Sequence, residues 1–270
     1  MSDAPIAIFD SGVGGLTVAA AIAKRLPNER LVYLGDTARL PYGTKSAETV
    51  TRYAVQATRS LMRFEPKMIV IACNTASAVA LPVLAAAYAT IPVVGVVEPG
   101  ARAAVDASRD GAIAVIATEG TVRGGAYVRA IHALKPDARV VQRACPLFVS
   151  LAEEGWTSGP VADLTAERYL SELFAAEEAP DTLVLGCTHF PVLRGPIAQA
   201  VGSAVRLVDS AATTAREVDR ILAERGLKRA TPAAAKFLAT DAPERFARIG
   251  SLFLGREIAP DQVELVDLTP

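Results

Sequence analysis

Four short apolar runs occur twice in this chain in the same order, and no other feature constrains its fold so strongly. Residues 6 to 9, IAIF, lead into DSGVGGLTV; residues 31 to 34, LVYL, into GDTARLPYG; residues 68 to 72, MIVIA, into CNTAS; residues 93 to 97, VVGVV, into EPG. Later, IAVIA precedes TEGT, RVVQ precedes RACPLF, TLVLG precedes CTHFP, and VRLV precedes DSA. From Asp10 to Ala117, Cys73 to Cys187 and Glu98 to Asp209 the offsets are 107, 114 and 111. Pro66 and Pro180 each stand seven residues ahead of a cysteine. A near-constant shift marks a duplication. Ala-rich stretches of helical period separate the runs, so each half reads as β-α units on a parallel sheet.

In such sheets ligands bind beyond the carboxyl ends of the strands, where helix N-termini present their N–H groups. Two halves facing each other would bring Cys73 and Cys187 to opposite sides of one cleft. The residues after Ser210 have no counterpart between the halves. They read as a helix to about Arg225, the run KFLAT, a helix opened by a capping box at Asp241 and Glu244, and the run VELVDL. This tail is expected to return to the first half and extend it.

Other features narrow the class. Net charge is -1, which gives no bulk attraction for nucleic acid or anionic membrane. The three cysteines are widely spaced without a C-x-x-C pair, so neither a disulfide framework nor a metal site is expected, and a reducing cytoplasm fits. The N-terminal stretch lacks the pattern of a secretory signal. Met68 to Val97 carries no charge, but Asn74, Thr75 and Ser77 interrupt it, and Pro82 and Pro92 would break one spanning helix. It reads as strand, loop, helix and strand. GVGGLT fails the dinucleotide fingerprint, since Thr17 stands in place of the third glycine.

Two facing thiols suggest a chemistry of their own. One as thiolate and one as thiol, on opposite faces of a carbon acid, would remove a proton from one side and deliver one from the other. A helix N-terminus or a nearby cation is expected to lower the thiol pKa. A non-catalytic, two-lobed dicarboxylate-binding protein is one alternative. A thiol hydrolase using Cys187 with His189 is another, although it leaves Cys73 without a task.

The set FDSGVGGLTV, GDTARLPYG, CNTASA, CPLFVSLAEEG and GCTHFP, in this order between residues 9 and 191, resembles the glutamate racemases of the aspartate/glutamate racemase superfamily. Aspartate-specific members usually carry Glu where this chain has His189. Phe190 and Ser150 stand where Tyr and Pro are common. The resemblance implies cofactor-independent racemisation of glutamate, supplying D-glutamate for bacterial peptidoglycan. Cys187 would work on the L-glutamate proton and Cys73 on the D-glutamate proton. The expected architecture is α/β, with two pseudo-symmetric flavodoxin-like domains of mainly parallel sheets and an active site in the cleft between them. The first domain is expected at residues 1–97 plus 212–270, and the second at 98–211.

Each further candidate also has a plainer role. Asp10 could simply cap a helix; the resemblance sets it beside Cys73 to tune proton transfer. His189 could be a surface residue, but a neutral imidazole two residues from Cys187 can orient or accept its proton. Glu153 could be one of a solvated acidic pair with Glu154; the EEG match makes it a carboxylate near Cys187. Substrate holding is expected from Asp10, Ser11, Tyr42, Gly43, Asn74, Thr75, Thr188 and His189, with Thr118 and Thr121 as weaker candidates. These offer hydroxyls, an amide and backbone N–H groups at helix N-termini, which suit carboxylates. Cys145 reads as structural. A homodimer is the expected assembly.

Overall fold

The computed structural model describes residues 2–175 and 178–268; residues 1, 176, 177, 269 and 270, which the expected domain limits include, lie outside the described residues. Strands and helices alternate: β1 (Ile6–Asp10), α1 (Leu16–Arg25), β2 (Leu31–Gly35), α2 (Ala47–Leu61), β3 (Met68–Ile71), α3 (Asn74–Ala87), β4 (Val93–Gly95) and α4 (Val97–Ala107). The second series is β5 (Ala112–Ala117), α5 (Glu119–Gly124), α6 (Ala126–Leu134), β6 (Arg139–Ala144), α7 (Leu147–Glu153), α8 (Pro160–Phe174), β7 (Thr182–Gly186), α9 (Arg194–Val201) and β8 (Arg206–Asp209). The tail supplies α10 (Ser210–Glu224), β9 (Lys236–Ala239), α11 (Pro243–Leu254) and β10 (Val263–Leu265).

The strands form two sheets, ordered β10-β9-β2-β1-β3-β4 and β6-β5-β7-β8, with parallel pairing throughout. Within each, the first four strands of the half take the order 2-1-3-4, so the duplication read in the sequence is a duplication of topology. β1, β3, β5 and β7 have neighbours on both sides and are buried at every residue. That is why they read as unbroken apolar runs rather than alternating ones. The tail adds β9 and β10 beside β2 and so extends the first sheet.

One apolar cluster runs from Ile6, Leu16 and Phe246 through Ala211 to Phe148, Leu185 and Phe190, joining the helices between the two sheets. Phe148 meets both Tyr169 and Phe190 edge to face, at 5.1 and 5.3 Å between centroids. Each such pair adds about 0.5–1.5 kcal/mol beyond its buried area. The expected limit at 97/98 falls at the start of α4, and that at 211/212 inside the first turn of α10.

Two local expectations give way. Pro82 does not break its helix but sits inside α3, on an exposed face. No capping box forms at Asp241 and Glu244. Instead α11 opens with Pro243 at its first turn behind Ala242 at φ 50°, and Asp241 Oδ1 accepts from the Ala242 N–H. Among the described residues no helix is long and apolar enough to cross a membrane.

Candidate active site

The carboxyl ends of the two sheets open onto one cavity of ≈ 350 Å³. Ser11, Tyr42, Gly43, Cys73, Asn74 and Thr75 line it from the first half, and Thr118, Glu153, Cys187, Thr188 and His189 from the second. Among the described residues its lining includes no lysine or arginine. Beside the His189 ring, anion-binding capacity therefore resides in hydroxyls, amides and the N-termini of α3 and α5.

Cys73 stands one residue beyond Ala72, which follows β3, and is the N-cap of α3, its sulfur accepting from the Ala76 N–H at 3.4 Å. The thiol also donates to Ser11 Oγ at 3.5 Å. Burial, reinforced by the charge of Asp10, pushes this thiol up to about 12, against the opposing pull of Ser11 and the Ala76 N–H. The expected lowering by the helix N-terminus is thus outweighed. Sulfur taken from water loses more than one N–H returns.

Asp10 ends β1 and does not itself line the cavity. Its Oδ2 accepts from the Gly12 N–H at 2.9 Å, and its Oδ1 is buried without a partner. Burial raises its carboxyl above the usual range, with the charge of His189 and the loop amides opposing.

Cys187 follows β7, and its sulfur lies 3.8 Å from His189 Nδ1. His189 Nε2 lies 3.2 Å from Glu153 Oε1 at the end of α7. Burial pulls the imidazole down, but hydrogen bonding to Cys187 and Glu153, together with their charges, overrides it and brings the value to about 10. These neighbours favour the protonated ring over the neutral base expected. Burial raises Glu153, yet bonds to His189 and Arg245 hold its carboxyl below the usual range.

The remaining expected residues divide by what their polar atoms touch. Thr75 Oγ1 and Thr118 Oγ1 meet across the cleft at 2.9 Å. Thr121 is fully buried behind them and does not line the cavity. Its hydroxyl lies 3.1 Å from Thr118 Oγ1 and 3.3 Å from Thr75 Oγ1. The Tyr42 hydroxyl is donated to Asp36, so this side chain meets the cavity with its ring. Asn74 Oδ1 accepts from the Tyr127 hydroxyl at 2.7 Å, leaving its buried Nδ2 free of protein partners. Thr188 lends its backbone carbonyl to Thr17 Oγ1 at 3.1 Å. Cys145 is fully buried in the apolar cluster.

Several contributors escaped the sequence reading. Glu119, in the first turn of α5, lines the cavity. Asp36 gathers Arg39, Tyr42 and Thr240, fixing the loop that carries Gly43. Gly14 lets the start of α1 approach the second half so closely that a Cβ there would collide with the His189 ring and Thr188 Oγ1. The doubled glycine of GVGG was the visible signal, read only as a failed nucleotide fingerprint.

The Asp/Glu/hydantoin racemase family model matches residues 16–218, which include both cysteine mouths. The chain belongs to this racemase family. The glutamate racemase of Geobacter metallireducens is 53% identical over 255 residues, 94% of this chain and 93% of its own. Among solved structures, a glutamate racemase from Bacillus anthracis superposes with TM-score 0.94 at 37% identity, covering 99% of each chain. The Francisella tularensis glutamate racemase solved with D-glutamate gives TM-score 0.91 at 37% identity, again over 99% of each chain. These racemases share the two-domain parallel α/β architecture described here.

Proposed function

We propose that this racemase interconverts L- and D-glutamate without a cofactor, by proton transfer at the α-carbon between Cys73 and Cys187. The observation that carries the reading is the pair itself: two thiols at equivalent strand ends of a duplicated fold, lining one cavity. The close relatives named as glutamate racemases supply the substrate.

In this reading Cys187, facing the His189 imidazolium, is the base toward L-glutamate. Cys73 is the acid behind it, kept as a thiol by burial and by Asp10. The α-proton passes to the Cys187 sulfur, the carbanion forms, and the Cys73 proton is delivered to the opposite face. Return from D-glutamate runs through the same groups with their roles exchanged. Asp10 tunes Cys73, and Glu153 orients His189. Ser11, Asn74, Thr75, Thr118 and Thr188, with the backbone at Gly43 and the N-termini of α3 and α5, would hold the carboxylates and ammonium. Thr121 acts through Thr75 and Thr118, and Tyr42 through the shape of the wall.

Residues 1–97 with 212–270, and 98–211, are the two domains of this reading. Its biological setting is supply of D-glutamate for peptidoglycan by a cytoplasmic homodimer. The test is circular dichroism of L- or D-glutamate in D2O with the wild type, Cys73→Ala and Cys187→Ala. Decay of either enantiomer to the racemate with α-deuterium incorporation, absent in both variants, is the expected result. Unchanged optical activity with retained glutamate binding would leave a binding protein in place of an enzyme.

A further inference from the structure

Arg245 belongs to the tail that has no counterpart in the duplication, yet it reaches the chemistry of the second half. It lies in the first turn of α11, a helix packed on α1 and on β10 of the first sheet. Its Nη2 stands 3.0 Å from Glu153 Oε2. The other oxygen of that carboxylate meets His189 Nε2 at 3.2 Å, and His189 Nδ1 stands 3.8 Å from the Cys187 sulfur. Phe253, further along α11, meets the His189 ring edge to face at 5.1 Å. One helix of the first sheet's tail thus holds the imidazole against the second sheet from two directions. Arg245 does not line the cavity and so acts only through Glu153.

A carboxylate at the end of a short helix, held at one oxygen alone, is free to turn toward water. Held at both, it has one orientation. We propose that Arg245 is a positioning residue that clamps Glu153 across the cleft, so that the His189 ring keeps one nitrogen on the carboxylate and the other on Cys187. The inference rests on the reading of Cys187 as an acid/base group. The charged groups acting on His189 are Cys187, Glu153 and, through space, Asp10. Arg245 meets it by way of Glu153.

The chain has two histidines, which makes the test direct. Imidazole NMR on protein carrying isotopically labelled histidine gives one titration for His189 and one for His132, whose ring meets Ala138 O as a built-in control. In Arg245→Ala the His189 midpoint is expected to fall by about one pH unit as the carboxylate turns away. His132 should stay in place, and Arg245→Lys should recover most of the shift. Loss of a bare positive charge acts in the opposite sense and would raise the midpoint. A rise, or no change, therefore overturns the proposal.

Turnover supplies a second reading. Arg245→Ala should lower kcat/KM for glutamate about 10-fold, and adding it to Glu153→Ala should cost nothing more. Losses that multiply would mean that Arg245 acts independently of Glu153, and the clamp would be wrong. If the wild type exchanged no α-proton at all, the racemase reading would fall, while the His189 titration would still decide what Arg245 does.

Discussion

Cys73 and Cys187 occupy equivalent places but keep different company, an anion beside one and a cation beside the other. Removing the anion tests this. In a Cys145→Ala, Cys187→Ala background, Asp10→Asn should let Cys73 ionise about one unit below its value of about 12, followed by ultraviolet thiolate absorbance. The cation has a signature in stability. His189 is raised above its ordinary 6.5, so its contribution is complete below that value and is lost as pH climbs through about 10. Glu153 is depressed below its ordinary 4.5, so its contribution holds above that value and is lost in acid. His189→Asn should therefore destabilise the fold most between those two ordinary values and least above pH 10, measured as urea midpoints across the range. The two catalytic candidates Cys73 and Cys187, with Asp10 and His189, were readable because each sits in a strand-end motif, and Glu153 because of the EEG match. The raised pKa of His189 was not, because beside the adjacent Cys187 it draws on a carboxylate 36 residues away in the chain.

At the scale of elements, the strands were legible because those at the sheet centres must be apolar on both faces, and β1, β3, β5 and β7 have no freedom to look otherwise. Helix starts were less so. The D-x-x-E pattern at Asp241 is a sound local signal, but Pro243 and the left-handed turn at Ala242 determine how α11 begins. Contacts between elements had no local trace at all: Tyr127 on Asn74, Thr240 on Asp36 and Arg245 on Glu153 join residues 53, 204 and 92 positions apart. The approach of α1 to His189 belongs to the same group. Gly14→Ala should force the ring or the helix to move, at a cost of about 1–3 kcal/mol from overpacking. We expect a loss of at least about 10-fold in kcat/KM, with a lower unfolding midpoint. Equal activity would show that the helix shifts without carrying His189.

Across the whole molecule, two sheets meet at a cavity whose walls come from both, so under the proposed reaction substrate is held only where the halves face each other. Closure around it should exclude water from the carbanion. Solution scattering with saturating D-glutamate should give a smaller radius of gyration than without; identical curves would count against closure. The shared order of the sheets was legible as a repeat. The bracing role of the tail was not, because a segment with no internal counterpart offers no pattern to compare.

The duplicated halves carry a last consequence. Mirror-image substrates have equal free energies in water, so under the proposed reaction the equilibrium constant is one, whatever the protein does. The two thiols nevertheless face a chiral carbon from environments that have lost their likeness. The imbalance cannot appear in the final mixture or in the ratio kcat/KM, which must be the same for both hands. It is confined to how tightly each hand is held and how fast it turns over at saturation, so that the hand held more tightly must turn over more slowly.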